Sequence, residues 1–400
     1  MATTAASAPR TPAAPDPFAP VRLGPVTLRN RIIKAATFEG RSTDHKVNDD
    51  LIAFHAAYAR GGVGMTTVAY CAVSRDGMGS YNEVVVTEDA VAGFARLADA
   101  IHAEGAAVSA QIGHAGAVAA TTTKKALSPS PVFSPLAMKR TRAATVDDLV
   151  RITGDFAAAA VRVADAGFDA VELHLGHGYL PSEFLSSRIN RRTDGYGGSL
   201  ENRARFPREV ARAVRDAVGD RLAVLAKLNM ADGVPGGLWL DESIPVAHML
   251  EADGALDAIE LTGGSSLQNP MYLFRGESPT TEMAATMPKL IRPAFKLLGK
   301  RFLPEYPFEE AYFLDYARQF RAALRMPLVL LGGINRLDTI EAALANGFEF
   351  VAMGRALLRE PDLINKLRDG SRSEGLCVHC NKCMPTIYSG TRCVLTAPPS

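Results

Sequence analysis

The chain has 400 residues, more than the roughly 150 of an ordinary domain but suited to one α/β barrel of about 250 residues with insertions. Forty-four Lys and Arg against 43 Asp and Glu leave a net charge of +1, which excludes the basic excess that nucleic acid or an anionic membrane selects. Hydrophobic residues make up 47%, enough for a large core, and no uncharged apolar run approaches the about 18 residues of a membrane span.

Residues 1–20, MATTAASAPRTPAAPDPFAP, are rich in Ala, Pro and Thr and lack an apolar signal region, so they read as a disordered arm and the protein as cytoplasmic. Residues 21–370 then read as one barrel and 371–400 as a Cys-rich segment. Five cysteines are too few for a disulfide scaffold, yet four crowd between Cys377 and Cys393.

After the arm, Val21–Asn30 alternates around a Gly-Pro turn, as expected of a hairpin plugging a barrel floor. Eight short Val/Ile/Leu/Ala-rich runs follow, separated by amphipathic stretches of helical length: Arg31–Thr37, Val63–Ala69, Ala107–Ile112, Asp169–His174, Leu222–Leu228, Asp257–Leu261, Pro327–Leu331 and Phe348–Met353. Such alternation predicts parallel strands with crossover helices, and eight of them predict a closed (β/α)8 TIM barrel. The connections over 113–147 and 262–310 are long, which marks them as lids over an active face.

Catalytic groups of an α/β barrel gather at the C-terminal ends of its strands. Gln111 and His114 stand at the end of the third run, His174 and His177 at the fourth, Lys227 and Asn229 at the fifth. Gly332-Gly333 follows the seventh and Gly354-Arg355 the eighth. Either glycine turn alone is ordinarily structural; together they suit a phosphate, which backbone N–H groups approach best where no Cβ intervenes. His174 and His177 suit a hydrogen-bonded pair, a substrate-binding pair or two ligands of a metal, although a zinc site needs a third ligand. Tyr179 adds a phenol able to donate a proton. Lys227 ends an apolar strand and so must face a negative charge, such as a reduced flavin or a phosphate.

Residues 174–206, HLGHGYLPSEFLSSRINRRTDGYGGSLENRARF, resemble the signature of the Old Yellow Enzyme family of FMN-dependent NAD(P)H oxidoreductases. The resemblance extends to LRNRII (28–33), GGVGM (61–65), AQIGHAG (110–116), LLGGI (330–334) and MGRALLREPDL (353–363). It implies an enzyme that passes hydride from NAD(P)H through FMN to the C=C bond of an α,β-unsaturated carbonyl compound. His174 and His177 would hold the carbonyl and Tyr179 would protonate the α-carbon. Ala35, Ala36, Thr37 and Ala69 would flank the flavin ring, Gln111 its pyrimidine edge and Lys227 its N1 and O2. Gly332, Gly333, Gly354 and Arg355 would hold the phosphate. Phe38 stands where many relatives carry Thr, Cys or His, and Tyr70 and Cys71 where small residues are common. Phe38, Tyr70, Tyr272 and Arg275 are therefore candidates for the substrate pocket.

Cys377, Cys380, Cys383 and Cys393 form Cys-x2-Cys-x2-Cys-x9-Cys, a thiolate set suited to a [4Fe–4S] cluster or zinc, with packed reduced thiols the alternative. The segment resembles the one after the barrel in 2,4-dienoyl-CoA reductase and trimethylamine dehydrogenase, with a shorter last interval. Two other readings stand beside the ene-reductase: a metal-dependent barrel lyase or hydrolase using the His pair, and a flavin-binding protein that docks a redox partner. A small-molecule substrate is expected in the first two, and a homo-oligomer is compatible with all three.

Overall fold

In the computed structural model, which describes residues 14–119, 125–134, 139–290 and 292–396, eight parallel strands form a central barrel, to which the short strand Val84–Val85 adds beside the second. The eight are Ile32–Lys34, Met65–Ala72, Ala107–Gly113, Ala170–Leu175, Ala223–Ala231, Ala258–Gly263, Leu328–Leu331 and Phe350–Met353. The first strand pairs with the eighth (Ala352 opposite Ile33) and also with the second (Ile33 opposite Met65), so the sheet closes on itself. The structure is thus the (β/α)8 barrel that the eight apolar runs predict, and each run overlaps a strand. Two strands run furthest past the predicted ends. The second strand continues to Ala72, which places Tyr70 and Cys71 inside it, and the fifth continues to Ala231.

Capping chemistry explains where the outer helices begin. Asn48 accepts the Leu51 N–H at 2.9 Å to start helix Asp49–Arg60. Thr145 and Asp148 satisfy each other's backbone N–H groups in a capping box ahead of Val146–Asp165. Phe94, Phe156, Phe206 and Phe320 fill the layer between helices and sheet, all without solvent exposure.

The barrel interior is a separate apolar layer of Ile33, Met65, Ala170, Leu225, Val329 and Phe350. Leu23 and Leu28 complete it from below. They belong to an antiparallel hairpin, Val21–Leu23 with Val26–Leu28, whose turn needs Gly24: its φ is 55°, and a Cβ there would lie 2.6 Å from the Asp257 carboxyl carbon. The floor is therefore closed by apolar side chains, and chemistry belongs at the other end.

Residues 1–13 of the expected arm lie outside the described residues; the part that follows is docked, with the Pro17 carbonyl accepting the Arg31 N–H at 3.0 Å. In the long third connection residues 120–124 and 135–138 lie outside the description. The sixth connection carries helices Pro270–Phe274, Thr280–Thr286 and Arg292–Phe302. After the last helix, Leu363–Arg368, the Cys-rich segment straps the active face. Thr391 N–H donates to Glu39 O at 2.7 Å, Asn82 donates to Ile387 O at 3.0 Å, and Asn381 Nδ2 donates to Glu277 O at 2.9 Å. Among the described residues no helix is long and apolar enough to cross a membrane.

Candidate active site

The fourth strand delivers His174, 3% exposed, to the barrel mouth, and the chain then turns through Gly176, His177 and Gly178 into the short helix Leu180–Leu185. His177 adopts φ 58°, and a second pair of strands holds it there. Its N–H donates to Asn229 Oδ1 at 3.0 Å and its Nε2 meets Thr262 Oγ1 at 2.9 Å. Asn229 is fixed in turn by Asp232 and by the Gly264 carbonyl, each at 2.8 Å. The rings of His174 and His177 lie 5.0 Å apart, those of His174 and Tyr179 4.3 Å, and those of Tyr179 and Tyr70 5.0 Å. Four residues expected at the site from sequence are thus brought together.

Burial sets their protonation. Desolvation, then the neighbouring His177 and Lys227 charges, holds His174 well below the usual imidazole pKa. Desolvation and Lys227 take His177 down to about 3. Both imidazoles are uncharged at neutral pH, and His174 Nδ1 is buried without a hydrogen-bond partner among the described residues. Desolvation, with Glu83 nearby, raises the Tyr179 phenol above its ordinary range, so it keeps its proton. No third side chain joins the two histidines: among the described residues there is no group of three or more His, Cys, Asp or Glu that could hold a metal ion.

Lys227 faces negative charge, as its burial requires, but this chain supplies it. Its Nζ lies 2.9 Å from Glu172 Oε2 and 2.8 Å from Glu260 Oε1, and Gln111 Nε2 donates to the same Glu172 oxygen at 2.5 Å. Strand register explains the chain of contacts, since Glu172 stands opposite Gln111 and Lys227 opposite Glu260. Desolvation opposes the Lys227 cation, yet the two carboxylates outweigh it and leave its pKa raised. Desolvation, against the pull of Lys227, and the Glu172 charge push the Glu260 carboxyl above its ordinary range.

A second buried charge cluster was not singled out from sequence. Lys34, fully buried on the first strand, donates to Glu39 Oε1 at 2.8 Å and Thr37 Oγ1 at 2.9 Å. His55 Nε2 lies 3.7 Å from the same Glu39 oxygen, and Glu39 Oε2 accepts the Ala69 N–H at 2.6 Å. Desolvation lowers the Lys34 pKa in spite of Glu39. The cluster pins the Ala35–Thr37 backbone beside Ala69, bringing together the four residues expected along a flavin. Phe38 packs in the apolar cluster that contains Tyr70 and Tyr179.

Tyr272 and Arg275 lie elsewhere. Tyr272 packs on Phe313 and Tyr306. The Arg275 guanidinium sits over the rings of Tyr312, Tyr272, Phe313 and Tyr306 at 5.1–5.9 Å. Those rings border the glycine turn: a Cβ at Gly332 would lie 2.6 Å from Phe313, and one at Gly333 2.6 Å from Tyr312. Gly354 completes this side, with Thr37 Cγ2 3.4 Å from where its Cβ would be. Arg355, expected to reach a phosphate, is engaged differently. Its Nη1 donates to the Arg275 carbonyl at 2.9 Å and to Asn381 Oδ1.

Arg355 also lines a small cavity of about 20 Å³, partly open to solvent, together with Cys377, Cys380, Cys383 and Cys393. All four are free thiols, and desolvation raises Cys383 to about 11. Four sulfurs around one cavity are the right donors for a thiolate-held group, although as folded they stand as separate thiols.

Flavin mononucleotide suits what the mouth offers. The Ala35–Thr37 backbone, a buried amide and ammonium, the partnerless His174 nitrogen and a glycine-lined cationic corner correspond to a ring, its polar edge, a stacked substrate and a phosphate. The fold and site define a barrel oxidoreductase built around such a group. Residues 16–260 match the family described as NADH:flavin oxidoreductase / NADH oxidase. The chain is 60% identical over 383 residues to 4,4'-dithiodibutanoate disulfide reductase of Rhodococcus erythropolis, covering 95% of each protein. It is 31% identical over 375 residues to an NADH oxidase of Thermoanaerobacter brockii, covering 92% of this chain but only 53% of that one, so it spans about half of that relative. Morphinone reductase in complex with tetrahydroNAD superposes with a TM-score of 0.69 at 26% identity, covering 92% of this chain and 94% of that one. The chain belongs to the NADH:flavin oxidoreductase / NADH oxidase family and is an FMN-dependent NAD(P)H oxidoreductase.

Proposed function

We propose that the enzyme uses NAD(P)H to cleave the S–S bond of a small organic disulfide bearing carboxylates, of the kind named for the Rhodococcus relative. The observation that carries this reading is 60% identity across 95% of both chains. The balance is one disulfide, one NAD(P)H and one proton giving two thiols and NAD(P)+. Bound FMN supplies a carrier that accepts two electrons from the nicotinamide and returns them to the acceptor.

The chain's residues do the remaining work. His174 and His177, both uncharged, offer N–H groups to the sulfur that leaves as thiolate, in a pocket that Phe38 and Tyr70 keep apolar. Thr262 and Asn229 fix the His177 ring and backbone. Gln111, Lys227, Ala35–Thr37 and Ala69 are assigned to the flavin ring, and Gly332, Gly333 and Gly354 to its phosphate. The four cysteines line one cavity without being gathered into a metal site as folded, so a [4Fe–4S] or zinc group there requires them to close around it, which metal analysis of anaerobically purified protein tests.

A second reading, reduction of the C=C bond of an α,β-unsaturated carbonyl, is favoured by Tyr179. A phenol held protonated beside the His174 ring suits transfer to a strongly basic carbanion, whereas a thiolate is too weak a base to need it.

The test is anaerobic turnover with 4,4'-dithiodibutanoate and, separately, 2-cyclohexen-1-one, following NAD(P)H loss and free thiol. Two thiols per nicotinamide, at a rate above enone reduction, is the expected result. Nicotinamide oxidation with the enone alone would replace the first reading by the second.

A further inference from the structure

We propose that Arg275, in the sixth connection, is the cation that meets the FMN phosphate, the part expected of Arg355. The proposal rests on FMN as the cofactor.

Arg275 makes no ion pair with a carboxylate among the described residues, and its Nε is buried without an acceptor. A guanidinium has five N–H donors, and aromatic faces compensate its charge only in part. An unpaired arginine held inside four rings is therefore incomplete until an anion with several acceptor oxygens arrives.

Its surroundings say where that anion sits. Tyr312 and Phe313, two of the four rings around the guanidinium at 5.1 and 5.8 Å, also form the surface against Gly332 and Gly333. Tyr312 is locked by donating to the Leu273 carbonyl at 2.6 Å. The guanidinium and the glycine turn thus share two fixed rings. The Arg275 backbone is tied to the other turn, because its carbonyl accepts from Arg355 Nη1. Gly276 holds the loop close to the C-terminal strap: its φ is 125°, and a Cβ there would lie 2.2 Å from the His379 carbonyl. Arg275 is consequently linked to both glycine turns, to Gly332-Gly333 through the shared rings and to Gly354-Arg355 through its backbone carbonyl. Arg355 spends Nη1 on the Arg275 and Asn381 oxygens and faces the cysteine cavity.

A phosphate monoester is the anion that fits, since a planar fork accepts two of its oxygens while glycine N–H groups approach the others. The experiment compares apoprotein affinity for FMN and for riboflavin, which lacks the phosphate, by flavin fluorescence quenching. Arg275→Met is expected to lose about 10- to 100-fold in FMN affinity and less than about threefold in riboflavin affinity. Retained riboflavin binding shows that the variant is folded. Equal losses for both flavins, or no loss for FMN, would overturn the proposal. Unchanged FMN affinity with a raised KM for 4,4'-dithiodibutanoate would give Arg275 to a substrate carboxylate instead. Failure of the unaltered apoprotein to bind FMN is a separate result, and it would remove the cofactor reading itself.

Discussion

The rings of His174 and Tyr179 lie 4.3 Å apart, tilted by 41°, although one residue ends a strand and the other precedes a helix. The turn between them, with His177 and Gly178 at positive φ, folds the phenol back over the imidazole. A neutral hydrogen-bond donor and a protonated acid therefore share one surface, and the two can be separated by experiment.

Tyr179→Phe keeps the ring and removes the acid. Disulfide cleavage is expected to change by less than about threefold, while any alkene reduction falls by about 100-fold or more. Parallel steady-state assays of both acceptors check this, and an equal fall in both would tie the phenol to a step they share.

His174 links the site to acid stability. Its folded pKa lies well below the unfolded value, so its contribution is present above about 6.5 and is lost as pH falls toward the folded value. His174→Asn is expected to flatten the acid side of the stability profile, read by denaturant midpoints from pH 7 down to pH 4. An unchanged slope would mean that the imidazole is solvated in the folded protein.

Glu83 acts in the opposite direction. Burial, against hydrogen bonds from the Gly79 and Ser80 backbone, raises this carboxyl to about 8. Its stabilising contribution is complete below the unfolded value near 4.5 and is lost as pH rises through about 8. Glu83→Gln keeps an acceptor for the Gly79 N–H and cannot ionise. It should gain on the unaltered protein by roughly one to a few kcal/mol between those limits, measured as melting temperature against pH.

Lys227→Met leaves Glu172 and Glu260 without their shared cation inside the barrel. The apoprotein is expected to lose about 3–5 kcal/mol, and Lys227→Arg to recover part of it. Measuring this without cofactor separates the fold from flavin binding, and an unaltered apoprotein stability would show that the carboxyls already carry protons.

Most of the barrel was legible because its signal is local. Each strand is a short apolar run, and strand ends locate the mouth, so His174, His177, Tyr179 and Gln111 could be placed from position alone. Charge pairing was not local in this way. Lys34 looks like the polar end of a strand, and its partners Glu39 and His55 are recognised only once helix Asp49–Arg60 packs against the sheet. Lys227 gave away its need for an anion but not the source, since Glu260 comes from the next strand. Arg355 followed a glycine turn as a phosphate ligand should, yet Asn381, 26 residues on, takes its guanidinium. Phe38 and Tyr70 pack in one cluster with Tyr179, whereas Tyr272 and Arg275 belong to the glycine corner.

The strap formed by residues 376–393 carries a consequence for biosynthesis. It is bonded to the loop after the first strand at Glu39 and to the sixth connection at Glu277, so it bridges two rims of the mouth. A nascent chain can pair all eight strands before that segment has left the ribosome, but it has not yet bridged those rims. A chain cut at residue 371 is therefore expected to fold as a barrel whose rims are unbridged, and to hold flavin less tightly than the full chain.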